Sequence, residues 1–356
     1  MPLRSPTSPN PSGQQAHRVR NLCGLRGLRG LLVLRLVDGV GRAKNGGFRS
    51  GPALRPSCQP GRSLFETTCD NSAPMNYAYI LTLSCPDRKG IVHAVSGFLL
   101  ANGGNIEEAA QYNDIGTGVF FMRVQFTCNE PSAAGLSSQL ATFAAPFDMA
   151  CKLHSAALPM RTVILVSKEG HCLNDLLFRC RSGLLPIEVR AIISNHREFY
   201  QLAASYNIAF HHLPVTAATK ADVEARQMAI IDAEKAELVV LARYMQILSN
   251  DLCRQLAGRA INIHHSFLPS FKGAKPYYQA HDRGVKLIGA TAHYVTADLD
   301  EGPIIEQDVA RADHGKTVDD LSAMGRDTES QVLARAVKWH SEHRVLLNGH
   351  KTVIFK

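Results

Sequence analysis

Between Tyr77 and Ser155 the spacing of apolar residues switches repeatedly between two and three to four. Tyr77–Cys85 alternates as a strand, and Pro86-Asp87-Arg88-Lys89-Gly90 is a turn. Ile91, Val92, Val95, Phe98, Leu99 and Leu100 form the stripe of a helix that Asn102-Gly103-Gly104 ends. Strands are expected near Asn105–Asn113 and Gly118–Cys128, a helix over Ser132–Ala145 and a strand near Met149–Ser155. The order βαββαβ predicts a ferredoxin-like α+β domain over residues 76–158.

From residue 160 the pattern changes to short, fully apolar runs. Arg161–Ser167, Val189–Ser194, Ile208–Pro214, Glu237–Ala242 and Ala260–His265 read as buried strands. A helix follows the first, and another covers Ala221–Glu234. A strand pair near Leu287–Thr296 and Ile304–Val309 and a long helix over Val318–His340 complete the stretch. Strands alternating with helices predict an α/β domain over 160–356, with a doubly wound, mostly parallel sheet. Such sheets take ligands beyond the carboxyl ends of their strands, where strand order switches.

The formal charge of +8 suggests a nucleic-acid partner only until it is located. Residues 1–74 hold ten Arg and one Lys against three acids, which accounts for all of it; the remaining 28 basic and 28 acidic residues balance. No nucleic-acid partner is therefore expected. The first 74 residues, rich in Pro, Gly, Ser and Arg, are expected to be disordered. They read either as an extension upstream of a start at Met75 or as an organellar transit peptide, although prolines at 2, 6, 9 and 11 oppose an amphipathic helix there. The corresponding locations are cytoplasmic and mitochondrial. No apolar run reaches the roughly 18–20 residues of a membrane span. Nine scattered cysteines without a CxxC pair read as free thiols rather than as disulfides or a metal site.

Chemistry concentrates at Ala260-Ile-Asn-Ile-His-His-Ser-Phe-Leu-Pro269. On a strand, Asn262 and His264 point to the same face. Asp298-Leu-Asp-Glu-Gly-Pro303 adds a carboxylate on a turn. Amide, imidazole and carboxylate are the groups that acyl transfer needs. The residues alone also accommodate Asn262 as a strand-end cap, His264 as a core histidine and Asp300 as a turn residue, with Asp298 a rival for the carboxylate role. His265, one position on, should face the other way.

Cys85-Pro-Asp-Arg-Lys-Gly-Ile-Val92 with Asn105-Ile106 resembles an ACT domain. That resemblance implies an amino-acid effector, with Asp87, Arg88 and Gly90 in the regulatory loop. Asn262-Ile-His264, Ser266-Phe-Leu-Pro269 and Asp300-Glu-Gly-Pro303 resemble the signature of the formyltetrahydrofolate-dependent formyltransferases, and Leu241–Leu248 is similar to their folate-pocket loop. The resemblance implies catalytic Asn262, His264 and Asp300, and a folate substrate held by Arg243, Met245, Gln246, Ile247 and Leu248.

One departure bears on the acceptor. Where transferases carry a Gly-rich phosphate loop, this chain has Ser167-Lys-Glu-Gly-His-Cys-Leu-Asn-Asp175, with one glycine and two acids. With an ACT-like domain in front, and with Ser270–Tyr278, the chain resembles the deformylase branch over 76–356, which implies water as acceptor. The expected reaction is hydrolysis of 10-formyltetrahydrofolate to tetrahydrofolate and formate, without metal or cofactor, in a homo-oligomer. The alternatives are formyl transfer to an amine, such as glycinamide ribonucleotide, and a non-catalytic folate or amino-acid sensor.

Overall fold

The structure, a computed structural model, describes residues 76–130, 132–268 and 276–356. The expectations for residues 1–74, and most of the Ser270–Tyr278 segment, lie outside the described residues. No helix among the described residues is long and apolar enough to cross a membrane.

The first elements are β1 (Tyr77–Pro86), α1 (Ile91–Ala101), β2 (Asn105–Asp114), β3 (Val119–Cys128), α2 (Ala133–Ala144) and β4 (Ala150–Ser155). They form an antiparallel sheet in the order β2-β3-β1-β4. Val95 and Leu99 of α1 and Leu136 and Leu140 of α2 bury against Leu81, Leu83, Val124 and Phe126 of the sheet. Gly90 starts α1 at φ 94, a left-handed conformation that a side chain would strain.

The second sheet is built from β5 (Met160–Val166), α3 (His171–Arg181), β6 (Ile187–Ser194), α4 (Tyr200–Ser205), β7 (Ala209–His212), α5 (Lys220–Ala233), β8 (Leu238–Leu241), α6 (Asn250–Gln255) and β9 (Ala260–His264). It continues with α7 (Pro276–Asp282), β10 (Leu287–Tyr294), β11 (Ile304–Arg311) and α8 (Val318–Ser341), and the chain ends in a hairpin of β12 (Val345–Asn348) and β13 (Lys351–Ile354). Strand order is β11-β10-β9-β8-β5-β6-β7. The five strands β5 to β9 are parallel, and β10 and β11 are antiparallel additions at one edge. Val163–Val166 and Leu238–Val240 are essentially inaccessible, because helices cover both faces. The chain leaves β5 toward β6 and β7, then returns to β8 on the other side, so the switch point lies between β5 and β8.

Three short helices and the terminal hairpin carry no readable period. α6, for example, is six residues long and starts on a local device, the Ser249 hydroxyl accepting from the Leu252 N–H. The hairpin packs Val353 and Phe355 against Phe121 of β3. Beside it, Arg123 of β3 is 1% exposed, pairs with Glu108 at 3.1 Å and donates from Nε to the Glu342 carbonyl after α8. Arg344 donates to both Glu108 oxygens, so one charged network joins the small sheet to the end of α8.

Candidate active site

Three loops meet at the carboxyl ends of β5, β8 and β9. Ser167 fastens the first two: its N–H donates to the Arg243 carbonyl, and its hydroxyl accepts from the Met245 N–H and donates to Asn195 Oδ1. The third is the segment after β9. There Thr291 donates to the Ser266 carbonyl and accepts from the Leu268 N–H.

A cavity of about 570 Å³ opens above these ends. All eight residues expected to serve catalysis or folate binding line it: Asn262, His264 and Asp300 at its floor, and the run Arg243, Met245, Gln246, Ile247 and Leu248 along one wall. Met245 and Ile247 are 57% and 62% exposed. That exposure excludes them from the core and gives the wall an apolar rim suited to a flat ring system. Asp298, the rival carboxylate, also lines the cavity.

Asp300 is the electrostatic centre. Its backbone is left-handed, φ 57, which turns the carboxylate back toward the sheet. Oδ2 lies 3.2 Å from Nδ1 of His264, and Oδ1 lies 3.6 Å from Nε2 of His293. Burial opposes ionisation, but the contact with His264 outweighs it and holds the carboxyl well below the usual range. Gly302 lets the loop approach β10: a Cβ there would overlap the Tyr294 carbonyl oxygen. The Tyr294 N–H in turn donates to the Pro303 carbonyl, which closes the turn around Asp300.

His293 was not among the expected residues. Nδ1 of His293 lies 2.9 Å from the Tyr294 carbonyl, so it carries the hydrogen and Nε2 accepts from the Asn262 amide 3.3 Å away. One amide hydrogen of Asn262 is thereby used and the other remains for the cavity. Nε2 of His264 is buried and has no hydrogen-bond partner among the described residues.

His265 corrects an expectation. It lines the same cavity as His264, because β9 ends at His264 and strand alternation lapses there. Burial, and after it the charges of Arg243 and His264, push its imidazole down to about 4. Behind it, Glu329 of α8 meets His171, Arg243 and Tyr277. His171, Cys172 and Glu329 lie close enough to share a metal ion. Their chemistry does not favour one: Arg243 stands beside the carboxylate, and burial pushes the Cys172 thiol far up, which disfavours the thiolate a metal needs.

The regulatory-loop residues lie apart, on the small sheet. The Asp87 carboxylate accepts from Asn113 Nδ2. Arg88 donates to the Pro146 carbonyl and covers the Phe147 ring at 4.2 Å. Neither they nor Gly90 line the cavity that holds Asp300.

The family model described as formyl transferase matches residues 160–337. A formyltetrahydrofolate deformylase of Corynebacterium sp. (strain P-1) is 51% identical over 280 residues, 78% of this chain and 98% of that protein. The crystal structure of a formyltetrahydrofolate deformylase from Burkholderia mallei superposes with TM-score 0.76 at 50% identity, over 79% of this chain and 100% of the other. A glycinamide ribonucleotide transformylase from Symbiobacterium toebii matches with TM-score 0.53 at 30% identity, over 58% of this chain and 98% of its own.

Proposed function

We infer the roles within the site from one premise: this chain belongs to the formyltetrahydrofolate deformylase family. It is a hydrolase of the formyl C–N bond of 10-formyltetrahydrofolate, and it releases tetrahydrofolate and formate. The observation that carries the assignment of residues is the Asn262–His293 and His264–Asp300 pairing on the floor of one cavity.

Water attacks the formyl carbon and a tetrahedral oxyanion forms. The free Asn262 N–H and Nε2–H of protonated His264 donate to that oxygen, while Nδ1–H of His264 donates to Asp300. Removing one such donor raises a barrier by about 2.7–4 kcal/mol. The Asp300 carboxylate orients His264 through Nδ1 and accepts the proton of the attacking water. The departing N10 takes a proton from His264, directly or through water. Nothing in this sequence of steps requires a covalent acyl-enzyme, and Ser266 carries no nucleophilic role. The formyl group arrives on its own carrier, so the reaction as proposed draws on no metal or cofactor.

The apolar rim of Met245 and Ile247, with Gln246 and Leu248, receives the pterin portion of the substrate. The small βαββαβ domain acts as an ACT regulatory module for an amino-acid effector, and it serves a homo-oligomer. The protein works in the cytoplasm, where the formate feeds purine synthesis. The decisive experiment is formate release from 10-formyltetrahydrofolate with no amine present, repeated with glycine and methionine. Formate production confirms hydrolysis; its absence, together with formylation of glycinamide ribonucleotide, refutes it. A rate unmoved by either amino acid removes those two as effectors.

A further inference from the structure

A second cavity, of about 540 Å³, lies between the small sheet and the catalytic domain. Its volume falls within the range of small-molecule sites, about 300–1,000 Å³. Thr82 and Ser84 of β1 and Lys152 and His154 of β4 form one wall, on the sheet face that α1 and α2 leave uncovered. The facing wall is built from Arg259 before β9, Tyr294 of β10, and His340 and His343 at the end of α8. The cavity shares no lining residue with the one that holds Asp300.

This cavity is short of negative charge. Lys152 and Arg259 are cations that form no ion pair among the described residues, and Arg259 donates to the neutral carbonyls of Ala236 and Gln255. The one acid in the lining, Glu237, already accepts from the Arg161 N–H at 3.2 Å and from Arg161 Nε at 3.3 Å. His154 and His343 stack with ring centroids 3.5 Å apart, and their ring nitrogens make no hydrogen bond among the described residues. Burial foremost, with neighbouring cations and imidazoles after it, holds His154, His340 and His343 below the usual imidazole range. An anion seated here supplies the missing counter-charge and accepts from the ring N–H groups. Met160, Val345 and Leu347 complete the lining with apolar surface, which suits an organic acid better than an inorganic ion.

Tyr294 joins this cavity to the reaction. Its side chain lies in the core at 2% exposure, and its hydroxyl stands 2.6 Å from Nδ1 of His340. Burial pushes the phenol up, so the hydroxyl keeps its proton and donates to His340. Its backbone holds the catalytic turn: the carbonyl accepts from Nδ1 of His293, and the N–H donates to the Pro303 carbonyl.

We propose that this cavity is a regulatory site for a small organic carboxylate seated on Lys152, His154 and His343, and that Tyr294 transmits its occupancy to the turn that carries Asp300. The site stands on the geometry of the cavity. That its ligand is an amino acid rests on the regulatory reading above; the formate that the reaction releases carries the same carboxylate.

Acetate, formate, glycine and methionine are the probes, each compared with chloride at equal ionic strength. At least one should raise the melting temperature of the full chain by a few degrees, in proportion to the logarithm of concentration. No response to any of the four overturns the site. Lys152 is exposed, and both Lys152→Met and Lys152→Gln should abolish the rise. A rise that survives in both, as binding in the catalytic cavity would, overturns the site. The same compound should change the rate of tetrahydrofolate formation severalfold in the wild type. In Tyr294→Phe it should still raise the melting temperature while the rate no longer responds. A wild-type rate unmoved by binding, or a full response in Tyr294→Phe, overturns the coupling. A rise with acetate and formate but not with the amino acids supports the site and refutes the amino-acid reading. A rate response to glycine or methionine that persists in Lys152→Met keeps that reading and overturns the site.

Discussion

Asp300 Oδ2 stands 3.2 Å from Nδ1 of His264. That contact commits Nδ1 to the carboxylate and leaves the buried Nε2 without a hydrogen-bond partner among the described residues. Asp300→Asn keeps the shape and removes the charge. The amide cannot hold a protonated His264 or accept a proton from water. The turnover number should fall by about 10²–10⁴-fold, the usual worth of positioned acid–base catalysis. Folate affinity should change little, since the apolar wall is intact. Formate release and equilibrium binding of tetrahydrofolate separate the two; comparable losses in both would reassign Asp300 to binding.

His293 reaches the reaction through its neighbours. Its Nε2 occupies one Asn262 hydrogen and approaches Asp300 at 3.6 Å. His293→Phe leaves an amide hydrogen unpaired at a cost of about 1–3 kcal/mol, so turnover should fall by about ten- to a hundredfold. Tetrahydrofolate affinity should change little, because the apolar wall is intact; a loss of affinity that matches the loss of rate would leave His293 a purely structural role.

Gly302 is required for proximity rather than for flexibility. A Cβ at that position meets the Tyr294 carbonyl oxygen, a backbone atom that cannot swing aside. Gly302→Ala should displace the loop that carries Asp300 and lower kcat by about tenfold or more, since small misplacements of a catalytic group cost up to about 10²-fold. The global melting temperature should move less than the rate. Unchanged kcat would show that the loop adapts.

The two sheets and their element order were legible because each rests on a local pattern, period-two strands and a 3.6-residue stripe; period also puts Asn262 and His264 on one strand face, whereas the family resemblance is what prefers Asp300 to Asp298. What escaped is non-local. His293 is one histidine in an apolar strand, and only the antiparallel pairing His293↔Asn262 makes it functional. Glu329 looks like any polar residue of a long helix until α8 packs on α3 and buries it. His265 lines the cavity beside His264 because strand alternation stops with β9 at His264. Strand edges and helix-packing faces, where the chain meets distant parts of itself, decide all three.

Stability should depend on pH through histidines outside the reaction as well. His343 stacks on His154 with ring centroids 3.5 Å apart, and His340 of α8 lies in the same cluster and meets the Tyr294 hydroxyl. Burial, followed by His154, His340, Arg123 and Lys152, pushes the His343 imidazole down to about 3; burial, followed by Lys152 and His154, takes His340 to about 4, and His265 stands at about 4. In the unfolded chain each binds its proton near ~6.5. Between ~6.5 and about 4 the unfolded state therefore holds more protons than the folded one, and stability must fall as pH falls through that window. His343 has φ 52, a conformation that Asn adopts readily. His343→Asn should leave the melting temperature at pH 8 nearly unchanged and make its decline from pH 6.5 to pH 4.5 shallower, by about one proton. Melting curves at matched ionic strength measure this directly. Parallel curves for the variant and the wild type would mean that His343 binds its proton equally well in the folded and unfolded chains.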